Sequence, residues 1–246
     1  MVILDQTVFR TFDEELDQID SAVLQMGGIV ETQIRDAVEC LLTRDDELSE
    51  DVRERDLDVD ELELEIDAAV VQVIAQREPK ARDLRMLLSI MKISSNLERI
   101  GDYAKNTAKR SSVIGEFRHI GASADVLRRM SLLVQGMLKD VLDAQLKRDV
   151  ALADEVRSRD VQVDSMHNTL FRELLTYMME DPRSITPCMH LLFIAKNLER
   201  MGDHVTGIAE QVHFRDEGEL PEAPRPKKDV TNVPIDVPDT GNGAVS

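Results

Sequence analysis

The chain has 246 residues, of which 48 are acidic and 30 basic, and its net charge of −18 argues against nucleic acid or anionic lipid as a direct partner. With 42% hydrophobic but only 3% aromatic residues and no Trp, the composition favours an all-α fold. No run approaches the roughly 18 apolar residues that span a membrane, there is no signal-like start, and the two cysteines form no CxxC pair, so we expect a cytoplasmic protein without direct membrane insertion.

Apolar residues in the first hundred positions recur every three or four residues, which predicts three long helices. The first covers about residues 9–41. Asp45 and Asp46 offer an N-cap for the second, which runs toward Gln76. Pro79 suits the first turn of the third, which continues to about Arg110.

The same pattern predicts three more helices after a connecting segment at residues 111–124. The fourth carries apolar residues from Leu127 to Val141, and the fifth covers about residues 149–179. The sixth opens at Asp181-Pro182 and ends near Phe214. Pro187 either kinks this helix or delays its start.

Residues 216–246 contain five of the eight prolines and have no apolar periodicity, which predicts a disordered acidic tail. We therefore predict two three-helix bundles in tandem, over residues 1–112 and 113–215, followed by this tail. Short connections favour up-down-up packing within each bundle.

A seven-residue segment, Asn-Leu-Glu-Arg-x-Gly-Asp, occurs at residues 96–102 and again at 197–203. It places Glu98 with Asp102, and Glu199 with Asp203, four residues apart on one helical face. Like charges at this spacing destabilise a helix by roughly 0.2–0.5 kcal/mol, and a bound cation is the simplest way to offset that cost.

The duplication extends further back. Residues 45–60 have a counterpart at 149–164, so Asp56 and Asp60 correspond to Asp160 and Asp164. The chain is thus a repeated module of about one hundred residues, and antiparallel packing would turn each Asp pair toward the acid pair of its own half. Clusters of carboxylates suit Mg, Ca, Mn or iron.

A second interpretation remains open. Acidic residues on amphipathic helices often lie on solvated faces beside Arg or Lys, and Arg99, Lys105 and Arg200 are close in sequence. On this view the chain is a metal-free helical scaffold. Gly101 and Gly202 indicate that bulk is not tolerated beside the acids, or that two helices approach closely.

Other motifs are weaker. Glu116 and His119 have the Glu-x-x-His spacing of di-iron bundles, but that chemistry needs two copies, so a di-metal carboxylate enzyme is the least favoured alternative. His204 follows Asp203 directly and can supply a nitrogen ligand, although a surface or core role is favoured. No phosphate-binding Gly-rich loop or HExxH motif is present.

The segments NLERIGDYAKNTAKR and NLERMGDHVTGIAEQV, with RDLDVDELELEI and RDLRMLLSIMKISS, resemble the PhoU family over about residues 8–214. The resemblance implies two tandem three-helix bundles and multinuclear clusters of iron or zinc, with Mg or Mn as alternatives. The metal ligands that it implies are Asp56, Asp60, Glu98, Asp102, Asp160, Asp164, Glu199 and Asp203.

The resemblance also implies a non-catalytic negative regulator of phosphate uptake and of phosphate-starvation signalling. Such proteins act by contact with the ATPase subunit of the phosphate ABC transporter and with a phosphate sensor histidine kinase, and they commonly form homodimers. The second half departs from the first, because His167 aligns with Glu63, so its site is expected to bind metal differently or weakly.

Overall fold

The structure, a computed structural model, describes residues 11–111, 114 and 120–221, with side chains omitted at 120–122. The Glu116–His119 motif and residues 222–246 of the predicted tail lie outside this part. Within it the fold is all-α, without strands, which confirms the predicted class. The six helices are α1 (Phe12–Thr43), α2 (Asp46–Arg77), α3 (Ala81–Ser111), α4 (Ile120–Lys147), α5 (Val150–Glu180) and α6 (Ile185–Asp216).

The corresponding starts of α2 and α5 have the same local structure. The side chains of Asp45 and Asp149 accept hydrogen bonds from the backbone N–H groups of Leu48 and Leu152, at 2.9 and 3.0 Å. Each cap satisfies a backbone donor that has no partner inside the helix. The duplication therefore repeats the helix starts as well as the acidic motifs.

Three helices begin at positions different from those predicted. Helix α3 starts at Ala81, beyond Pro79, because Glu78 turns the chain in a left-handed conformation with φ of 48°. Helix α4 starts at Ile120, inside the predicted connection of residues 111–124. A short 3₁₀ turn at Pro182–Ser184 precedes α6.

The position of Pro187 follows from the delayed start of α6. The helix begins at Ile185, so Pro187 lies in its first turn and does not kink it. Backbone N–H groups in a first turn have no intrahelical acceptor, so the missing N–H of proline is tolerated there. The helix continues through Asp216, two residues beyond the predicted end near Phe214.

Four helices, α1, α3, α4 and α6, form the centre of the molecule, and α2 and α5 flank it. Helix α2 packs on α1 and α3, and α5 packs on α4 and α6, so each half is a three-helix unit. The halves are joined by contacts of α1 with α4 and of α3 with α6. Their buried apolar side chains form a continuous core that includes Met26, Ile34, Leu97, Ile100, Leu127 and Met130.

Helices α3 and α6 run antiparallel and bring duplicated residues together. Tyr103 and His204 occupy equivalent positions in the two copies, and their ring centroids lie 5.7 Å apart. His204 Nδ1 also lies 2.9 Å from Asn96 Oδ1. His204 therefore packs in the interface between the halves, which are related by an approximate twofold axis near this pair.

Candidate functional site

The first acid cluster lies between the flanking helix α2 and the central helix α3. Asp56 is 2% exposed, and a Cβ atom on Gly101 would lie 3.3 Å from its Oδ1 atom. The same Cβ atom would lie 3.1 Å from Oε1 of Gln33 in α1. The glycine in the repeated motif is therefore the point where three helices approach closely, and it leaves room for the carboxylate of Asp56.

A lysine joins the carboxylates of this cluster. The Nζ atom of Lys105 lies 2.6 Å from Oδ1 of Asp102 and also contacts Oδ2 of Asp56. Burial lowers the pKa of Lys105, but the hydrogen bonds to Asp102 and Asp56 outweigh it, so the pKa is raised and the ammonium stays charged. Lys105 thus brings one positive charge into the cluster.

The other two predicted ligands of this half face the same groove. Burial and then the Asp102 carboxylate raise the pKa of Glu98 to about 7, with Arg99 acting in the opposite direction. Burial and then Asp56 raise the pKa of Asp60. Asp56, Asp60, Glu98 and Asp102 are therefore close enough to repel one another, as the antiparallel packing of α2 and α3 predicts.

Glu63, one turn beyond Asp60, extends this groove. Burial and then Asp67 raise its pKa, and a hydrogen bond from Ser95 in α3 lowers it. The pKa of Glu98 is in turn raised by Glu63. The first half therefore contains a row of carboxylates longer than the two predicted pairs.

The second acid cluster lies between α5 and α6 and is more deeply buried. Asp160, Asp164 and Glu199 are each at most 3% exposed, and His167 is 4% exposed. A Cβ atom on Gly202 would lie 3.0 Å from Oδ1 of Asp160. The motif glycine thus has the same role in both halves, beside the first aspartate of the flanking helix.

The two clusters differ in their basic residues. The position of Lys105 is occupied in the second half by Thr206, and the position of Ser95 is occupied by Lys196. Lys196 Nζ lies 2.9 Å from Oε2 of Glu199. Each half therefore has a lysine beside its carboxylates. Lys105 follows the repeated motif of the first half, and Lys196 precedes that of the second.

The contact of Lys196 with the second acid cluster was not predicted, although Lys196 lies three residues before Glu199, the spacing at which helical ion pairs form. Lys105 is close to the first motif in the sequence, but its contact across the helix pair with Asp56 does not follow from that spacing. The contact of Lys105 with Asp56 depends on which helix faces pack together, whereas the pair of Lys196 with Glu199 lies within one helix.

The donor chemistry of both clusters fits a cation, because carboxylate oxygens and, in the second half, the His167 imidazole are ordinary metal ligands. In the part of the chain that the structure describes, however, no three His, Cys, Asp or Glu side chains are arranged to hold a metal ion. A metal would therefore require these side chains to reorient, and in the first half it would displace Lys105.

This chain is similar to known proteins along nearly its whole length. The sequence model described as "PhoU domain" matches twice, at residues 23–111 and 127–212. A protein of Caulobacter vibrioides called "Phosphate-specific transport system accessory protein PhoU homolog" is 48% identical over 90% of this chain and 96% of its own length. A protein of the same name from Rhizobium meliloti is 42% identical over 92% of this chain and 95% of its own.

Two solved structures have the same architecture. The crystal structure of PhoU from Pseudomonas aeruginosa superposes with a TM-score of 0.81 at 40% identity, covering 85% of this chain and all of that one. The phosphate transport system regulatory protein PhoU from Streptococcus pneumoniae gives 0.80 at 28% identity, covering 87% and 100%. Because the family model matches both halves and the relatives match nearly the whole chain, this chain belongs to the PhoU family.

Proposed function

We propose that this chain is a negative regulator of phosphate uptake and of phosphate-starvation signalling. It acts by contact with the ATPase subunit of the phosphate ABC transporter and with the phosphate sensor histidine kinase. It works in the cytoplasm, where the ATPase subunit of an importer lies, and it forms a homodimer.

The observation that carries this proposal is the similarity of the whole helical chain to proteins named as accessory or regulatory proteins of phosphate transport. The two matches to the family model cover both halves, at residues 23–111 and 127–212, and these ranges contain both acidic motifs of this chain. Among the described residues, no helix is long and apolar enough to cross a membrane. A contact role at a transporter is compatible with that finding.

We further propose that the carboxylate clusters bind metal. Asp160, Asp164, Glu199 and Asp203, with His167 as an additional donor, are the residues that would hold it in the second half, and Asp56, Asp60, Glu98 and Asp102 in the first. The metal would supply positive charge to the buried carboxylates and would fix the flanking helix on the central one. Iron and zinc are the first candidates and Mg and Mn the alternatives.

The replacement of Glu63 by His167 led us to expect weaker or different binding in the second half, but on the geometry we propose the second cluster as the stronger candidate. Its carboxylates are more buried, and Thr206 stands where the first cluster has the lysine that bridges two aspartates. A cation entering the first cluster must displace the Lys105 ammonium from both Asp102 and Asp56, and one entering the second meets the Lys196 ammonium at Glu199.

A metal-free scaffold is the second candidate, and the two lysines favour it. Lys105 and Lys196 already place an ammonium against carboxylates of each half. On this alternative the clusters hold the flanking helices by ion pairs, and regulation depends on surface contacts alone.

The regulatory proposal is tested in a bacterial strain that lacks its own copy of this protein. A phosphate-starvation reporter and uptake of radiolabelled phosphate are measured in phosphate excess. Expression of this chain should restore repression and reduce uptake, and full reporter activity despite normal protein levels would refute the proposal. Sedimentation equilibrium of the purified chain tests the dimer.

A further inference from the structure

Helix α2 exposes large apolar side chains to solvent. It is a flanking helix that, among the helices the structure describes, packs on α1 and α3 alone. On its outer side Leu57 is 66% exposed, Leu64 70% and Val71 57%. Isolated exposed apolar residues are common on proteins, but these three repeat every seven residues on one helix.

The three residues belong to a longer heptad stripe. Glu61 and Ala68 lie between them, Ala75 follows Val71, and all three are also exposed, so the positions alternate in steps of four and three residues. Six positions thus follow the spacing of a coiled-coil seam over 19 residues, or about 27 Å of helix. We call these six residues, 57, 61, 64, 68, 71 and 75, the α2 seam.

The α2 seam faces away from the core. The buried residues of α2, such as Val59, Leu62 and Ile66, lie on the opposite side of the helix and contact the bundle. The seam is therefore additional to the apolar face that folds the protein. A second apolar stripe on an amphipathic helix costs solubility, and it is typical of a surface that packs against another helix.

Acidic residues border the α2 seam on both sides. Asp58 and Glu65 lie along one edge and Asp60 and Asp67 along the other, in the positions that flank the apolar seam of a coiled coil. Charges at these positions select the partner helix. Glu61 adds a fifth negative charge within the seam, so an acidic partner would be repelled.

The duplicated helix α5 repeats only the end of this surface, where Leu175 and Met179 are 40% and 79% exposed at the counterparts of Val71 and Ala75. The counterparts of Leu57 and Leu64 are Val161, half-buried, and Asn168, buried. One acidic flank is replaced as well, with Gln162 at the position of Asp58 and Thr169 at that of Glu65, whereas Asp164 keeps the acid of Asp60 on the other flank. The complete α2 seam, with two exposed leucines at its start and acidic residues on both flanks, is therefore not repeated in α5.

We infer that the α2 seam docks a basic amphipathic helix of another protein. That helix carries an apolar stripe at heptad spacing, with Lys or Arg on both of its flanks. A second copy of this chain is disfavoured as the occupant, because it would set acidic flank against acidic flank on molecules of net charge −18. The inference rests on the proposal that the protein acts by contact, and it assigns one contact surface.

The test uses a fluorescein-labelled synthetic helix of 21 residues, with Leu on its stripe and Lys on both flanks. A second peptide has the same stripe and Glu on the flanks. Fluorescence anisotropy of each peptide is measured against the full chain at physiological salt. The Lys peptide should bind, and the Glu peptide should bind at least about tenfold more weakly because its charges repel Asp58, Asp60, Glu65 and Asp67.

A double variant, Leu57→Ser/Leu64→Ser, should weaken binding of the Lys peptide by about tenfold or more, since it removes the two largest apolar contacts. The control is Leu132→Ser/Leu146→Ser, which changes two leucines on α4 that are 59% and 51% exposed. This control should bind as the unchanged chain does. Circular dichroism checks that both variants fold.

Three results would overturn the inference: no binding of the Lys peptide, an equal loss from the α4 control, or sedimentation showing that only the α2 variant turns a dimer into a monomer. The last result would assign the seam to a second copy. The peptide titration contains no transporter or kinase, so it can fail while the repression assay succeeds. The docking inference and the regulatory proposal are therefore tested independently.

Discussion

The ammonium group of Lys105 lies 2.6 Å from Oδ1 of Asp102, and it also contacts Asp56 on the neighbouring helix. A single fixed cation thus joins α2 to α3 within the first acid cluster. The second cluster has Thr206 at this position. The two copies of the repeat therefore differ in the residues that compensate their buried carboxylates.

Removing this cation should destabilise the first half. Lys105→Met leaves Asp56 buried beside Asp102 without the ammonium, and we expect a loss of about 1–2 kcal/mol, reduced from that of a fully buried pair because Lys105 is partly exposed. Urea unfolding in the presence of a chelator measures it. Added Mn or Mg should restore part of the loss, since the vacated position then accepts a metal ion.

The matched control is Lys147→Met, which removes an exposed pair with Asp143 at 2.9 Å. Its unfolding midpoint should stay close to that of the unchanged chain, with or without metal. If the two lysine variants behave alike, Lys105 is an ordinary surface ion pair.

The motif glycine of the second half should not accept a side chain. In Gly202→Ala the new methyl group would lie 3.0 Å from Oδ1 of Asp160, with Val163 also close. We expect a loss of about 1–3 kcal/mol, as for overpacked cores, measured by urea unfolding.

Gly136→Ala is the comparison for this prediction, because Gly136 lies within α4 and a Cβ atom there meets nothing within 4 Å. Alanine at this position should stabilise the helix by about 0.5–1 kcal/mol. Equal effects of the two substitutions would show that the acid cluster does not require a glycine.

The pH dependence of stability should reveal Glu98. Its pKa is raised from 4.5 to about 7, by burial and then by Asp102. The folded state therefore holds this proton more tightly than the unfolded state, and stability falls as the pH rises from about 4.5 to about 7. Glu98→Gln should raise the melting temperature more at pH 8 than at pH 5 in chelator-treated protein.

Glu155→Gln, an exposed change on α5, serves as its control and should give the same small effect at both pH values. A Glu98→Gln variant with no pH-dependent gain would mean that Glu98 is ionised without cost in the folded protein.

Metal content should depend on each half separately. Elemental analysis of the purified chain is compared with Glu98→Ala/Asp102→Ala and with Glu199→Ala/Asp203→Ala, and each double variant should lose the metal of its own half. On adding metal to the chelator-treated chain, the second cluster should fill first, because the first contains the Lys105 bridge. Absence of metal from every preparation, with no stabilisation by added Mg, Mn, Fe or Zn, would favour the scaffold alternative.

The helix starts show where local sequence was a sufficient guide and where it was not. The Asp45 and Asp149 caps formed as their residue types indicate, because an N-cap depends on atoms within one turn. The prolines were less informative about where a helix begins. A proline is tolerated at any position in the first turn, so it does not specify which residue begins the helix. Helix α6 accordingly starts three residues after Pro182, with Pro187 still inside its first turn.

The sequence by itself determined the all-α class, the six helices and the duplicated acid pairs. A helix of 3.6 residues per turn places Glu98 beside Asp102 wherever the helix packs, so these features follow from spacing alone. Only the tertiary structure decided that Lys105 bridges to Asp56, that Tyr103 meets its own counterpart His204, and that the α2 seam faces solvent. These three features depend on which faces of distant helices are buried together. The sequence of a single helix does not specify which neighbour each face contacts, and the packing of the four central helices does.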